Sequence, residues 1–82
     1  MAMRIVAIHE PPVTRREATG DRIERLRLER GWTQAELSER ASIAQMTVYR
    51  AETGHEMYAW TLAALADALG VTMDALYRGG ES

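Results

Sequence analysis

Thr33 to Gly54, TQAELSERASIAQMTVYRAETG, is the stretch whose reading decides the fold. Thr33 and Glu36 stand three apart, so the threonine hydroxyl can accept from the Glu36 amide while the glutamate reaches back to the cap. Leu37 and Ala41 share the inner face of the helix that this box starts. Ser42 breaks the period, and Ile43 returns as an apolar plug under a turn. A second periodic run, Gln45 to Glu52, turns Val48 and Ala51 inward and leaves Gln45, Met46, Tyr49 and Arg50 on the other side. Gly54 stands where a left-handed residue closes the helix. Two short helices joined so tightly are expected to cross steeply, as in a helix-turn-helix.

Outward from this pair the chain reads as further helices. Asp21 to Arg30 is expected to form one, capped by Thr19 or Asp21, with Ile23, Leu26 and Arg30 toward one face and Gly31 closing it. Trp32 is expected to pack across the junction. Beyond Gly54, His55 to Trp60 reads as a loop rich in large side chains. Thr61 to Leu69 reads as a helix with Leu62, Leu65, Ala66 and Leu69 inward, closed by Gly70; Thr72 caps a last one, Met73 to Tyr77. The fold class is therefore all-α with five helices. Residues 21–78 form the domain, 1–20 an amino-terminal arm and 79–82 a tail. Arg4 to Ile8 (RIVAI) has strand propensity and ends before Pro11-Pro12. Three readings of this arm stand open: a strand pairing with a second subunit, a disordered tail, or an arm whose Arg15 and Arg16 reach DNA.

Eighty-two residues, 46% hydrophobic and 27% charged, make one small soluble domain with a thin core that association would help. The absence of cysteine excludes disulfides and thiolate metal sites. With no long apolar run or signal peptide, a cytoplasmic protein without a membrane partner is the expectation. The formal net charge of −2 is not the usual footprint of a nucleic-acid binder. Its distribution is uneven, since Arg4, Arg15, Arg16, Arg22, Arg25, Arg27 and Arg30 all precede Gly31. Every cation is arginine. That suits forked contacts to phosphate or guanine, and it equally follows from GC-rich coding.

The ordered spacing of Gln34, Ala35, Leu37, Ile43, Val48, Glu52 and Gly54 resembles the lambda-repressor-like family, the Xre or Cro/C1 type, from about Ile23 to Leu76. The resemblance implies a buried ion pair between Arg27 and Glu52, which would also offset the unfavourable negative charge near a helix carboxyl end. It implies that Gln45 to Glu52 enters the major groove of duplex DNA, with base contacts from Gln45, Met46, Arg50 and Ala44. Gln45 can read adenine or bridge to Gln34; Arg50 can fork onto guanine; Met46 and Ala44 offer apolar contact to a thymine methyl. Gln34, Thr47, Thr53 and Tyr49 are the candidates for phosphate. The chain departs from the family's pattern in the aromatic loop after Gly54, in Ala44 where serine or threonine is common, and in Thr53 where asparagine is usual.

The function so implied is that of a homodimeric transcriptional regulator, mostly a repressor, on a two-fold operator, with no effector domain for a small molecule. The competing reading is an antitoxin or other protein-interaction module on the same fold, favoured by the negative charge and by Met57, Tyr58 and Trp60. Enzymatic, cofactor and metal roles are not expected. Neither His9 nor His55 with Glu56 has a second histidine at ligand spacing, and Glu36 with Glu39 reads as a solvated helix face.

Overall fold

In a computed structural model, residues 17–79 are described, and they hold five helices and no strand. They are α1 (Thr19–Glu29), α2 (Gln34–Ala41), α3 (Gln45–Glu52), α4 (Ala59–Leu69) and α5 (Met73–Arg78). The possible strand and arm in residues 1–16, and the end of the tail, lie outside the described residues. No described helix is long and apolar enough to cross a membrane.

The capping box at Thr33 forms in both directions: Glu36 N–H donates to the threonine hydroxyl at 3.0 Å, and Thr33 N–H to the Glu36 carboxylate at 2.8 Å. At the other end of α2, Ser42 takes φ +58°, while its N–H and that of Ile43 reach back to Glu39 and Ser38 carbonyls. This pattern satisfies two carbonyls left open at the helix end. The same pair of bonds closes α1 at Gly31, α3 at Gly54 and α4 at Gly70. Only α2 makes this turn without glycine, at a conformational cost to Ser42.

Ile23, Leu37, Ala41, Val48, Ala51, Leu65, Ala66, Leu69 and Leu76 form the core, with Leu26, Trp32, Ile43, Met57 and Leu62 packed against it. α3 packs principally on α1 and α2. α4 and α5 brace those two from the far side, so α3 keeps its outer face.

Two boundaries differ from the sequence reading. α1 starts at Thr19, with Ala18 at the cap and no side-chain cap bond. Neither Thr19 nor Asp21 caps it, because the Thr19 hydroxyl donates to the Tyr77 carbonyl at the end of α5, at 2.7 Å, and Asp21 sits inside the first turn. Gly20 therefore lies within the helix, where a Cβ would stand 2.6 Å from the Ala51 carbonyl oxygen and 2.7 Å from that of Glu52. α4 starts at Ala59, so Trp60 belongs to the helix and not to the loop. Thr61 falls inside the first turn and is buried at 2% exposure. Arg30 is not on the apolar face either: it is exposed at the end of α1 and donates to the Leu26 and Leu69 carbonyls.

Candidate nucleic-acid interface

The outer face of α3 is built by default. Burying Val48, Ala51 and Glu52 fixes the helix rotation, and that rotation exposes Gln45, Met46, Tyr49 and Arg50. Ala44 supplies no side-chain cap, while Thr47 and Val48 N–H both go to the Ala44 carbonyl. The amides of Gln45 and Met46 are thus left at an open amino end, where the helix dipole favours an anion. Thr47 is half-buried. Gln45, Met46, Tyr49 and Gln34 line a shallow concavity on the outer surface between α2 and α3.

Behind this face lies a buried charge cluster. Arg27 Nε and Nη2 donate to the Glu52 carboxylate at 2.6 and 3.0 Å, and Arg27 Nη1 donates to the Trp32 carbonyl at 2.9 Å. The hydrogen bonds to Glu52 raise the Arg27 pKa above its ordinary value, against the opposing effect of burial. Gln34 completes the cluster, donating Nε2–H to Glu52 Oε1 at 2.8 Å. The cluster ties α1, α2 and α3 together immediately under the exposed face.

Two of the phosphate candidates are engaged within the fold. The Gln34 amide nitrogen points to Glu52, because a buried carboxylate has acceptor sites left over after the two bonds from Arg27, and no hydrogen bond joins Gln34 to Gln45. The Thr53 hydroxyl donates to the Tyr49 carbonyl at 2.9 Å and lies 3.2 Å from His55 Nδ1. Tyr49 itself is about half exposed, at 49%.

Nor does the excess of arginine before Gly31 become a basic surface among the described residues. Arg22 is buried and donates to the Leu76 carbonyl at 2.8 Å, to that of Tyr77 and to that of Glu17. Arg25 bonds both carboxylate oxygens of Glu17 and reaches Glu29. Arg27 holds Glu52, Arg30 holds backbone carbonyls, and Arg78 pairs with Asp74 at 3.0 Å. Among the described arginines, the side chains of Arg40 and Arg50 alone make no hydrogen bond or ion pair with a described residue. Arg40 lies over the Trp32 ring, 4.2 Å from its centroid, which leaves Arg50 as the uncommitted guanidinium on α3.

Sequence reasoning missed Arg22, Gly20 and the Arg40–Trp32 contact. Their partners are remote in the chain or defined only by packing, and an arginine among other arginines carries no mark of burial. It placed Tyr58 and Trp60 together in a loop suited to a protein interface, without their stacking at the start of a helix. Their rings lie nearly parallel, with centroids 6.3 Å apart, on the surface at the start of α4.

A family model described as a helix-turn-helix domain matches residues 18–78, in agreement with the resemblance to lambda-repressor-like proteins. No curated protein matches the chain.

Proposed function

This chain belongs to the helix-turn-helix domain family, and from that premise we propose that it binds duplex DNA sequence-specifically as a homodimeric transcriptional regulator, acting mostly as a repressor on a two-fold operator. The observation that carries the reading is the outer face of α3, where Gln45, Met46 and Arg50 stand exposed and Arg50 has no partner among the described residues. In this reading Arg50 forks onto guanine O6 and N7, Gln45 pairs with adenine, and Met46 and Ala44 touch thymine methyl groups. Tyr49 and Thr47 face the flanking backbone together with the open amides of α3. Gln34 supports the backbone contact through its main-chain amide at the start of α2, since its side chain serves Glu52, whereas the Thr53 N–H and hydroxyl both donate to the Tyr49 carbonyl and hold the end of α3 beside that contact. Occupied operator DNA would exclude polymerase from a promoter, inside the cytoplasm.

A pair of copies supplies what one lacks. A module with so few base-reading side chains binds weakly alone, and two recognition helices about 34 Å apart multiply affinity and specificity. The test is selection from a randomised pool of duplexes at two salt concentrations, followed by sequencing. An enriched inverted repeat with half-sites about one turn apart supports the proposal. No enrichment at either salt refutes it.

The second reading, a protein-interaction module such as an antitoxin, draws on one feature. Tyr58, Trp60 and Tyr77 are exposed by 74%, 61% and 61%. Salt separates the two readings, because binding through several phosphates weakens steeply with salt and an apolar interface does not.

A further inference from the structure

Between the start of α1, the loop after α3 and the ends of α4 and α5 runs a groove whose floor and walls include Ala18, Gly20, Ala51, Gly54, Ala59 and Leu62. These side chains are small or apolar, and Glu56 and His55 are the ionisable groups at its edge. Tyr77 lines the same groove. Beside it, on either side of Ala59, stands the ridge of stacked Tyr58 and Trp60 rings. Ridge and groove are therefore neighbours on one patch of the surface.

We infer that this patch is the surface through which a second copy of the chain pairs, the Tyr58–Trp60 ridge of each copy seated against the small-residue groove of the other. The inference rests on the reading of the chain as a two-fold regulator and names the surface that the reading needs. A two-fold interface must be self-complementary, so any projection on it needs its own receptacle within the same patch. Here both are present. Area points the same way: at 74%, 61% and 61% exposure, Tyr58, Trp60 and Tyr77 offer roughly 300–500 Å² of aromatic surface, a large part of the about 800 Å² per partner of a stable complex. Aromatic residues are enriched at such interface cores, and none of the three carries a charge to desolvate. The position also fits the task. Ala51 lies in the last turn of α3 and Gly54 just beyond it, so pairing here turns the carboxyl ends of the two α3 helices toward the axis. Gln45 and Met46, at the amino ends, face away from it.

The test is sedimentation equilibrium of the full chain without DNA, so that pairing is read separately from DNA binding. The wild type is expected to dimerise at micromolar concentrations. Trp60→Ala and Tyr58→Ala, both at exposed positions and checked for unchanged helicity by circular dichroism, should weaken dimerisation at least tenfold. Ala59→Arg, which fills the groove wall, should do the same, while Tyr49→Ala on the outer face of α3 should leave it unchanged. A monomeric wild type, or a dimer indifferent to both Trp60→Ala and Ala59→Arg, overturns the inference. A dimer lost in Ile8→Asp and kept in Trp60→Ala overturns it as well, by assigning pairing to the amino-terminal segment. Gel shifts on a single half-site keep the two readings apart. Retained half-site binding by Trp60→Ala with lost pairing supports both, whereas wild-type pairing without any DNA binding sinks the regulator reading alone.

Discussion

Replacing Glu52 by alanine should remove most of the stability of this domain, and the structure says why a contact count would mislead. Arg27 and Arg25 each make two close bonds to one carboxylate, and each makes a third at 2.9 Å, Arg27 to the Trp32 carbonyl and Arg25 to Glu29. By number of bonds the two are equal. By burial they differ, because the Arg25 side chain is 49% exposed and Arg27 is 9% exposed with Glu52 at 3%. Loss of an exposed pair costs about 0–1 kcal/mol, since water takes over the freed charge. Loss of Glu52 leaves a nearly buried guanidinium without its buried counter-ion, at a cost of about 3–5 kcal/mol, and also removes the partner of the Gln34 amide. A domain of this size has a total stability near the low end of the usual range, about 5 kcal/mol. Urea unfolding followed by circular dichroism, with a slope of about 1 kcal/mol per molar, should therefore show Glu52→Ala largely unfolded at low denaturant. Arg25→Ala should shift the midpoint by less than about 1 M. The paired change Arg27→Met with Glu52→Leu should recover most of the loss, because an apolar pair of similar volume needs no compensation. A Glu52→Ala protein within about 1 kcal/mol of the wild type would refute the assignment of the cluster to the packing of α1, α2 and α3.

Other perturbations test other parts of the structure. Gly20→Ala places a methyl group against two backbone carbonyls that cannot turn aside, and should lower stability by about 1–3 kcal/mol in a thermal melt. Ser42→Gly relieves the left-handed conformation at the turn and should raise stability by up to about 1 kcal/mol. Arg50→Ala should cost about 1–3 kcal/mol on the cognate duplex and relax one base position, read by competition with single-base variants; equal losses on random DNA would count against base reading. The Glu17 carboxyl is held below its ordinary value of 4.5 chiefly by its hydrogen bond to Arg25. A folded pKa below the unfolded one adds stability that is complete above the unfolded value and withdrawn as pH falls through the folded one. Glu17→Gln should accordingly flatten the acid side of the stability profile below about pH 4.5, with little change in its slope at neutral pH.

The arginines show how far composition carries. Seven of them before Gly31 suggest a basic amino-terminal half, yet among the described ones Arg22, Arg25, Arg27 and Arg30 are all spent inside the protein. Arginine serves this use well because its fork satisfies several carbonyl or carboxylate oxygens at once. Arg22 is the clearest case: it closes the carbonyl end of α5 onto α1, 54 residues away in the chain. A Cβ on Gly79 would stand 2.5 Å from its guanidinium.

What the sequence determined by itself is what depends on residues within about four positions of one another. The Thr33–Glu36 box, the bounds of α3, the inward Val48 and Ala51, the outward Gln45, Met46, Tyr49 and Arg50, and the turns at Gly31, Gly54 and Gly70 are all of this kind. Helical periodicity and capping are local, so they are legible in a string of letters. Tertiary structure alone decided the rest. The Thr19 hydroxyl goes to Tyr77 and leaves α1 to start on Ala18; Gly20 admits the backbone of α3; Glu52 draws the Gln34 side chain inward. Each of those outcomes is a competition between partners, and one of the competitors arrives only when distant helices have packed.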